Sequence, residues 1–485
     1  MALTDHPFMG RFARTLPAAI SVTLAMLGPV AAAQDSPPIR KRFSRAEVAE
    51  VYLGFERAMR DHPPGPGEAA DINRAFDRAT MQFFAGEGIM KILRQTGDRL
   101  RFGDAVTSNQ KFASSLCITV RPRVLALSNP GPVVIGVEPM YGAQPVGAVA
   151  VRVIAPDGRE VFRAATTEAR AEFKIDPAKL SQGLCRVELV AGDDPQFRAY
   201  CTISDRPLGT IREELSKALD EAPQGAPEQA VAACRARIRL LTDTPDMENS
   251  SQFLADPTAL RSQIESEVAA IKLGKDPFRG RVGDYWRVFS YRGAEIPCRV
   301  VAPATVKPSE PRPLLIALHG AGGDENMFPD GYGDGALKKL AEKHGLIVLS
   351  PRTEMVIGNA PLFDSLVESA AELYPIDRSR IYLVGHSLGA IASTGLITQR
   401  SEAIAAAVLI GGMGRFAEGA TISPALVITG ELDPLMSAAS VQAGVAKATA
   451  AGQPVELRLL AGRGHTLLVG EQLPEAIVWL LKHHK

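Results

Sequence analysis

The chain has 485 residues, enough for several domains that each bury a core of their own. Hydrophobic residues make up 46% and charged residues 22%, which excludes a disordered chain, a coiled coil and a polytopic membrane protein. With 54 basic and 54 acidic side chains the formal charge is zero, which argues against nucleic acid or an anionic membrane surface as the main partner.

Residues 1–33 have the three-part layout of a secretory signal peptide. Two arginines precede an apolar stretch, which ends in three alanines before a polar sequence. The alternative is a membrane anchor, but Pro17 and Pro29 leave a run shorter than the roughly 20 residues that a spanning helix needs. We therefore expect cleavage after Ala33, no stable membrane insertion afterwards, and a periplasmic or extracellular protein.

Three regions of different periodicity follow the signal peptide. Residues 34–114 carry two amphipathic patterns, which predict a helical pair. Residues 115–206 alternate with period two between turn residues and predict a small β-sandwich. This sandwich has no acidic pair or histidine cluster, so we expect it to pack or to present substrate. Residues 207–280 are helical again and predict a connector, or a part of the N-terminal assembly.

The five cysteines do not form a metal-binding or redox motif. Since their number is odd, an exported chain keeps at least one thiol unpaired. No CxxC pair is present, which excludes zinc ribbons and thioredoxin-like sites. Cys185 and Cys201 lie in predicted strands, and two alternatives stay open for them: a bridge between neighbouring strands, or buried inert thiols.

Residues 281–485 alternate short apolar runs with helix-like segments. Two alternating segments at the start of this region predict a hairpin, and six apolar runs follow in series, beginning with LLIALH at 314–319. Apolar strands that alternate with helices are typical of a parallel sheet covered on both faces. The sequence therefore predicts an α/β domain with an eight-stranded, mostly parallel sheet.

The sequence Gly385-His386-Ser387-Leu388-Gly389 lies between a predicted strand and a predicted helix. In this context a G-x-S-x-G pattern predicts a nucleophile elbow, because small residues at both glycines allow the sharp turn that exposes the serine oxygen. We expect Ser387 to be the nucleophile. His386 occupies the variable position of the motif, and the sequence assigns it no role.

A second glycine-rich turn, HGAGG at 319–323, follows the strand LLIAL. Glycines in such a turn let backbone N–H groups approach a developing oxyanion. We expect the N–H groups of Ala321 and Leu388 to form the oxyanion hole.

The acid and the base are predicted from two later strand ends. Asp433 follows the strand ALVITG, and His465 follows VELRLL. The order Ser387, Asp433, His465 is the nucleophile–acid–base order expected for this architecture. Glu431 is the alternative acid, but it adjoins the strand, and we therefore expect Asp433 to orient the histidine.

Together, the motifs HGAGG, GHSLG, GELD and GRGH, in this order, resemble those of the α/β-hydrolase superfamily over residues 282–485. Within it, the region is most similar to secreted esterases of the feruloyl-esterase and polyhydroxyalkanoate-depolymerase type. It also resembles prolyl-oligopeptidase-like peptidases. Residues 34–280 resemble no family that we recognise.

Substrate contacts are less well determined by the sequence. Phe328 and Tyr332 follow the oxyanion turn, and Met413 follows a strand, so each is predicted either to line the substrate pocket or to pack in the core. Asp433 follows Ser387 by only 46 residues, which leaves no room for a lid domain.

Three functions remain open from the sequence. The first is an exported serine hydrolase that cleaves small-molecule or polymer-linked carboxylic esters through an acyl-enzyme. The second is a serine peptidase of prolyl-oligopeptidase-like type, and the third is a non-catalytic binding protein on a hydrolase fold. The triad supplies nucleophile, base and electrostatics, so no cofactor and no metal site are expected.

Overall fold

Helices form the start of the described chain. The computed structural model describes residues 43, 45–84, 89–140, 147–242, 256–417 and 419–485. The predicted signal peptide, residues 1–33, lies outside the described residues. The helices of this first region are α1 (Arg45–Asp61), α2 (Pro66–Phe84), α3 (Ile89–Phe102) and α4 (Ser108–Ser114).

Two small sheets follow these helices, as the period-two pattern predicts. One has the strand order β1-β3-β6 and the other β2-β8-β7-β4-β5. All pairs are antiparallel except β2 with β8. The strands are β1 (Leu116–Arg121), β2 (Val124–Ala126), β3 (Val133–Pro139), β4 (Val149–Ile154), β5 (Glu160–Thr166), β6 (Ala171–Ile175), β7 (Gly183–Ala191) and β8 (Asp194–Ser204).

The N-terminal helices and the two small sheets share one apolar core. Phe55 of α1 stacks on Phe76 of α2 with ring centroids 5.5 Å apart, and both belong to the same cluster as Ile118 and Val151 of the strands. Leu467, from the far end of the sequence, is also buried in this cluster. Burial of the shared apolar surface is what holds the helices to the sheets.

Two of the three cysteines of this region lie on neighbouring strands. Cys185 on β7 lies opposite Cys201 on β8 in the antiparallel register. All five cysteines of the chain are buried free thiols, which agrees with the second of the two predicted alternatives.

The segment predicted as a connector packs on the main sheet. Its helices are α5 (Leu208–Asp220), α6 (Glu228–Arg239) and α7 (Pro257–Lys272). Their apolar faces belong to the same core cluster as Trp286 and Val288 of the first strand of that sheet. Arg237 of α6 pairs with Glu267 of α7 at 2.9 Å and donates to the carbonyl of Trp286. The buried guanidinium thus has both an opposite charge and hydrogen-bond acceptors beside it.

The main sheet has eight strands, as the sequence predicts. Its order is β16-β15-β14-β13-β11-β12-β10-β9, and all neighbours are parallel except the pairs made by β10. The strands are β9 (Gly283–Tyr291), β10 (Ala294–Ala302), β11 (Arg312–Leu318), β12 (Ile347–Pro351), β13 (Ile376–His386), β14 (Ala406–Ile410), β15 (Ala425–Gly430) and β16 (Val455–Leu460).

Helices cover both faces of this sheet. The helices of this region are α8 (Ala336–His344), α9 (Thr353–Val356), α10 (Ala360–Leu373), α11 (Leu388–Gln399), α12 (Ala438–Ala450) and α13 (Leu468–Leu480). One face packs against α5–α7 and α10–α12, and the other against α8 and α13. Since β11 to β16 are parallel, the loops that carry the sequence motifs all leave the sheet at its carboxyl edge. None of the described helices is both long and apolar enough to cross a bilayer.

Candidate active site

Ser387 occupies a strained turn between β13 and α11. Its φ is 50° and its ψ is −110°, a conformation that few non-glycine residues adopt. A Cβ at Gly385 would lie 2.3 Å from the carbonyl oxygen of Gly389, and a Cβ at Gly389 would lie 1.8 Å from that of Leu318. Only glycine fits at these two positions, and the turn they permit projects Ser387 from the edge of the sheet, as the predicted elbow requires.

Asp433 and His465 form a buried pair at the ends of β15 and β16. The Nδ1 of His465 is 2.7 Å from Oδ2 of Asp433. The other oxygen of Asp433 accepts from the N–H groups of Leu435 at 2.9 Å and Met436 at 2.8 Å. Because three donors surround the carboxylate, its orientation is fixed, and it holds the imidazole with Nδ1 protonated and Nε2 free to act as a base.

Glu431, the alternative acid, points elsewhere. Its Oε2 accepts from the N–H of Gly462 at 3.0 Å and does not contact the imidazole of His465. The two loops meet closely, since a Cβ at Gly430 would lie 2.3 Å from the carbonyl oxygen of Arg463. The geometry therefore favours Asp433, and Glu431 braces the loop that carries the histidine.

The turn after β11 presents free amides beside the serine. Gly320 donates to the hydroxyl of Tyr332 at 3.5 Å, and Gly323 donates to the carbonyl of Gly320 at 3.1 Å. Among the described residues, nothing accepts from the N–H groups of Ala321 and Leu388, the two predicted oxyanion donors. A free N–H is expected for Leu388, since it is the first residue of a helix.

The turn itself is held by His319. The Nε2 of this buried histidine accepts from the N–H of Thr353 at 3.1 Å, so Nδ1 carries the proton and donates to the carbonyl of Gly320 at 2.9 Å. The tautomer follows from the fact that a backbone N–H only donates and a carbonyl only accepts. His319 thereby ties the glycine turn to the main chain of Thr353.

Among the described residues, no hydrogen bond joins the side chains of Ser387 and His465. The ring of His386, next to Ser387 in the chain, has its centroid 4.9 Å from that of His465. Catalytic hydrogen bonds are often long or poorly aligned until substrate binds, so this geometry is compatible with proton transfer between Ser387 and His465.

His386, to which the sequence assigns no role, connects the loop that carries His465 with the segment that carries Tyr332. Its Nε2 donates to the carbonyl of His465 at 3.1 Å, and its Nδ1 accepts from the hydroxyl of Tyr332 at 2.8 Å. Burial, together with the nearby His465, lowers the pKa of His386 well below its usual range. His386 is therefore a neutral side chain whose hydrogen bonds link the loop of His465, through Tyr332, to the glycine turn at 319–323.

The predicted pocket residues are found mostly in the core. Phe328 is fully buried and packs edge-on against Tyr332, whose ring is buried as well. Neither side chain offers surface to a substrate, which corrects the pocket alternative for these two residues in favour of packing. Met413 is partly buried against the core and lies next to Gly444 of α12.

Two further polar residues reach this site from the N-terminal helices. Asn73 and Asp77 of α2 accept hydrogen bonds from the main chain of Gly464 and His465. Each directly follows a buried apolar residue of an amphipathic helix, Ile72 before Asn73 and Phe76 before Asp77. That interruption of the apolar face is a signal in the sequence, but it does not identify the partner.

No group of three metal-ligating side chains is found in the described part of the chain. No protein-family model matches the sequence, and no curated protein matches it.

Solved structures of esterases resemble parts of the chain. An S-formylglutathione hydrolase from Staphylococcus aureus is 17% identical and covers 42% of this chain and 98% of its own, with a TM-score of 0.36. A thermostable esterase is 15% identical and covers 76% of this chain and 100% of its own, with a TM-score of 0.39. The feruloyl esterase module from Clostridium thermocellum is 15% identical over 41% of this chain and 88% of its own, with a TM-score of 0.34.

Because these identities and TM-scores are low, the fold assignment rests on the strand order of this chain. Counted from the antiparallel edge, that order is 1-2-4-3-5-6-7-8. Ser387 follows the fifth strand, Asp433 the seventh and His465 the eighth. This is the α/β-hydrolase fold, with an N-terminal assembly of helices and small sheets added to it.

Proposed function

We propose that the protein is a serine hydrolase that cleaves carboxylic esters through an acyl-enzyme on Ser387. The observation that carries the proposal is the Asp433–His465 contact of 2.7 Å at the same sheet edge as the strained Ser387. A backbone held at a φ of 50° is costly and is typical of functional positions.

The reaction begins with proton transfer from Ser387 to Nε2 of His465 as the serine oxygen attacks the ester carbonyl. Negative charge then develops on the carbonyl oxygen, to which the N–H groups of Ala321 and Leu388 donate hydrogen bonds. One such donor is typically worth about 3–4 kcal/mol in the transition state. The C–O bond to the alcohol breaks, and the imidazolium returns its proton to the departing alcohol.

Deacylation repeats these steps with water. His465 takes a proton from the water, which attacks the acyl carbonyl, and the second tetrahedral intermediate collapses to the free acid. Ser387 recovers its proton from the imidazolium. Asp433 stabilises the imidazolium in both halves of the reaction and stays ionised.

The substrate is an ester of small or polymer-linked form that reaches an open edge of the sheet. Between Ser387 and Asp433, the described chain forms α11, β14 and β15 with their connections, so no lid domain is inserted there. The signal-like residues 1–33 support export, and the balanced charge of 54 basic and 54 acidic residues argues against nucleic acid as the substrate.

The test is hydrolysis of p-nitrophenyl acetate and butyrate beside a panel of peptide p-nitroanilides. Wild type and Ser387→Ala are compared, and each is also exposed to a fluorophosphonate probe. We expect ester turnover and probe labelling in wild type only, with silent anilides. Anilide turnover of equal efficiency would identify a peptidase, and unlabelled, inactive wild type would leave a binding protein on this fold.

A further inference from the structure

The loop that carries His465 is held by a helix from the other end of the chain. Asn73 accepts through Oδ1 from the N–H of Gly464 at 2.9 Å, and Asp77 accepts through Oδ2 from the N–H of His465 at 2.7 Å. Both side chains are at least nine-tenths buried. We infer that Asp77, with Asn73, is a positioning residue for His465, so that α2 is a working part of the active site. The inference rests on the proposed function.

The contact is built closely on both sides. Asn73 and Asp77 are four residues apart and therefore lie on one face of α2. The amide nitrogen of Asn73 donates to the carbonyl of Ala69 at 2.8 Å, which fixes the direction of its oxygen. A Cβ at Gly464 would lie 2.0 Å from Oδ2 of Asp77, so only glycine lets the loop approach the carboxylate.

The main chain of His465 is thereby held from opposite directions. Its N–H is bound by Asp77 from the N-terminal assembly, and its carbonyl is bound by His386 from the sheet. Two residues further on, Leu467 is buried in the N-terminal core. The position of the imidazole relative to Ser387 therefore depends on how the N-terminal helices pack.

The charge of Asp77 indicates more than a structural role. Burial raises the pKa of Asp77 to about 6, although the N–H and the ring of His465 oppose the rise. Its Oδ1 is buried and has no partner, an arrangement that costs free energy. An asparagine could accept from the N–H of His465 without burying a charge. A carboxylate, in contrast, also stabilises the imidazolium that forms in each half-reaction.

The charged and titratable groups around His465 come from three elements. Asp433 lies on the loop after β15, Asp77 on α2 and His386 at the end of β13. Since His386 is neutral, the two carboxylates supply the negative charge that favours the imidazolium. Loss of either charge should therefore weaken the stabilisation of the imidazolium.

A second contact from the N-terminal helices supports the inference. Glu56 of α1 accepts from the hydroxyl of Tyr52 at 2.6 Å, and the nearby main chain of Gly333 opposes the rise of its pKa. Arg60 of α1 pairs with Asp334 at 2.5 Å. This segment adjoins Tyr332, which binds the oxyanion turn, so α1 and α2 each brace one of the two loops that flank Ser387.

The variants are Asp77→Asn, Asp77→Ala and Asn73→Ala, with Asp71→Asn as the matched control on an exposed position of α2. Hydrogen exchange of residues 462–467 and the pH–rate profile of ester hydrolysis are measured for each. We expect Asp77→Ala to lower kcat about 10- to 100-fold, with a much smaller change in KM, and to speed exchange in this loop. Asp77→Asn should move the acidic limb of the profile to lower pH, while Asp71→Asn matches wild type.

The outcomes separate the two proposals. If folded Asp77→Ala keeps the wild-type kcat, profile and exchange, the positioning role is wrong even though the hydrolase is active. If exchange rises but kcat and the profile stay unchanged, Asp77 is a structural contact only, which also overturns the inference. If wild type is as inactive as Ser387→Ala, the proposed function fails first, and the positioning role fails with it.

Discussion

The imidazole of His386 donates to the main-chain carbonyl of His465 at 3.1 Å and accepts from the hydroxyl of Tyr332 at 2.8 Å. The residue that precedes the nucleophile thereby ties the base loop to the segment after the oxyanion turn. Since the hydroxyl of Tyr332 also accepts from Gly320, a single chain of hydrogen bonds runs from the turn to the base. Changes at one end should be felt at the other.

Tyr332→Phe should therefore lower both stability and activity. The substitution leaves Nδ1 of His386 buried without a donor, which costs about 1–3 kcal/mol. We expect kcat for ester hydrolysis to fall several-fold, because the oxyanion turn and the base loop lose their link. The control is Tyr382→Phe, whose lost hydroxyl donates to the carbonyl of His483 instead. If both variants lose stability and keep kcat, the link has no catalytic role.

Asp433→Asn should separate the two candidate acids. An amide at this position no longer fixes the imidazole with Nδ1 protonated, and the corresponding change in serine proteases lowers kcat by about 10⁴. Glu431→Gln should keep most of the activity, since Glu431 only accepts from Gly462. Steady-state kinetics of both purified variants decide the point. A large loss in Glu431→Gln beside an active Asp433→Asn would reverse the assignment.

Gly389→Ala should prevent correct folding of the elbow, whereas Gly395→Ala in the same helix should not. A methyl group at Gly389 would lie 1.8 Å from the carbonyl of Leu318, and we expect the free energy of unfolding to fall by at least about 3 kcal/mol. The atom nearest to a methyl group at Gly395 is 3.8 Å away. Alanine there should therefore raise the free energy of unfolding by about 0.5–1 kcal/mol. Urea unfolding of both variants measures the difference. Equal stabilities would contradict the tight packing of the elbow.

Glu56→Gln should remove part of the pH dependence of stability. Burial raises the pKa of Glu56 from 4.5 to about 7, so the folded state binds this proton more tightly than the unfolded state. The neutral form of Glu56 therefore makes its whole contribution to the free energy of unfolding below about pH 4.5. This contribution, about 3 kcal/mol, is lost as the pH rises through about 7.

Thermal midpoints of wild type and Glu56→Gln between pH 5 and pH 8 test this expectation. The thermal midpoint of the variant should rise relative to that of wild type as the pH rises, because its amide stays neutral and still accepts a hydrogen bond from Tyr52. The exposed Glu402→Gln serves as control and should follow wild type throughout. Parallel curves for wild type and Glu56→Gln would contradict a raised pKa in the fold.

Much of the hydrolase region could be predicted from local patterns. Apolar runs such as 314–319 predict strands because a buried strand has no polar face, and all eight strands of the main sheet are present. The small sheets and the first two N-terminal helices follow from their own periodicities in the same way, but the predicted helical pair omits α3 and α4. The glycines at 385 and 389 predict the elbow because a turn this tight leaves no space for a Cβ.

Local sequence patterns predict the strands of the main sheet, the serine turn and the chain order of Ser387, Asp433 and His465, since each depends on residues close together in the chain. Only the packed fold shows that Asp433 rather than Glu431 contacts the imidazole, and that Phe328 lies in the core. It also decided that Asp77 binds the main chain of His465 from 388 positions away. A polar residue on a helix shows locally only that it interrupts an apolar face, because its partner is chosen by the packing of whole helices against the sheet.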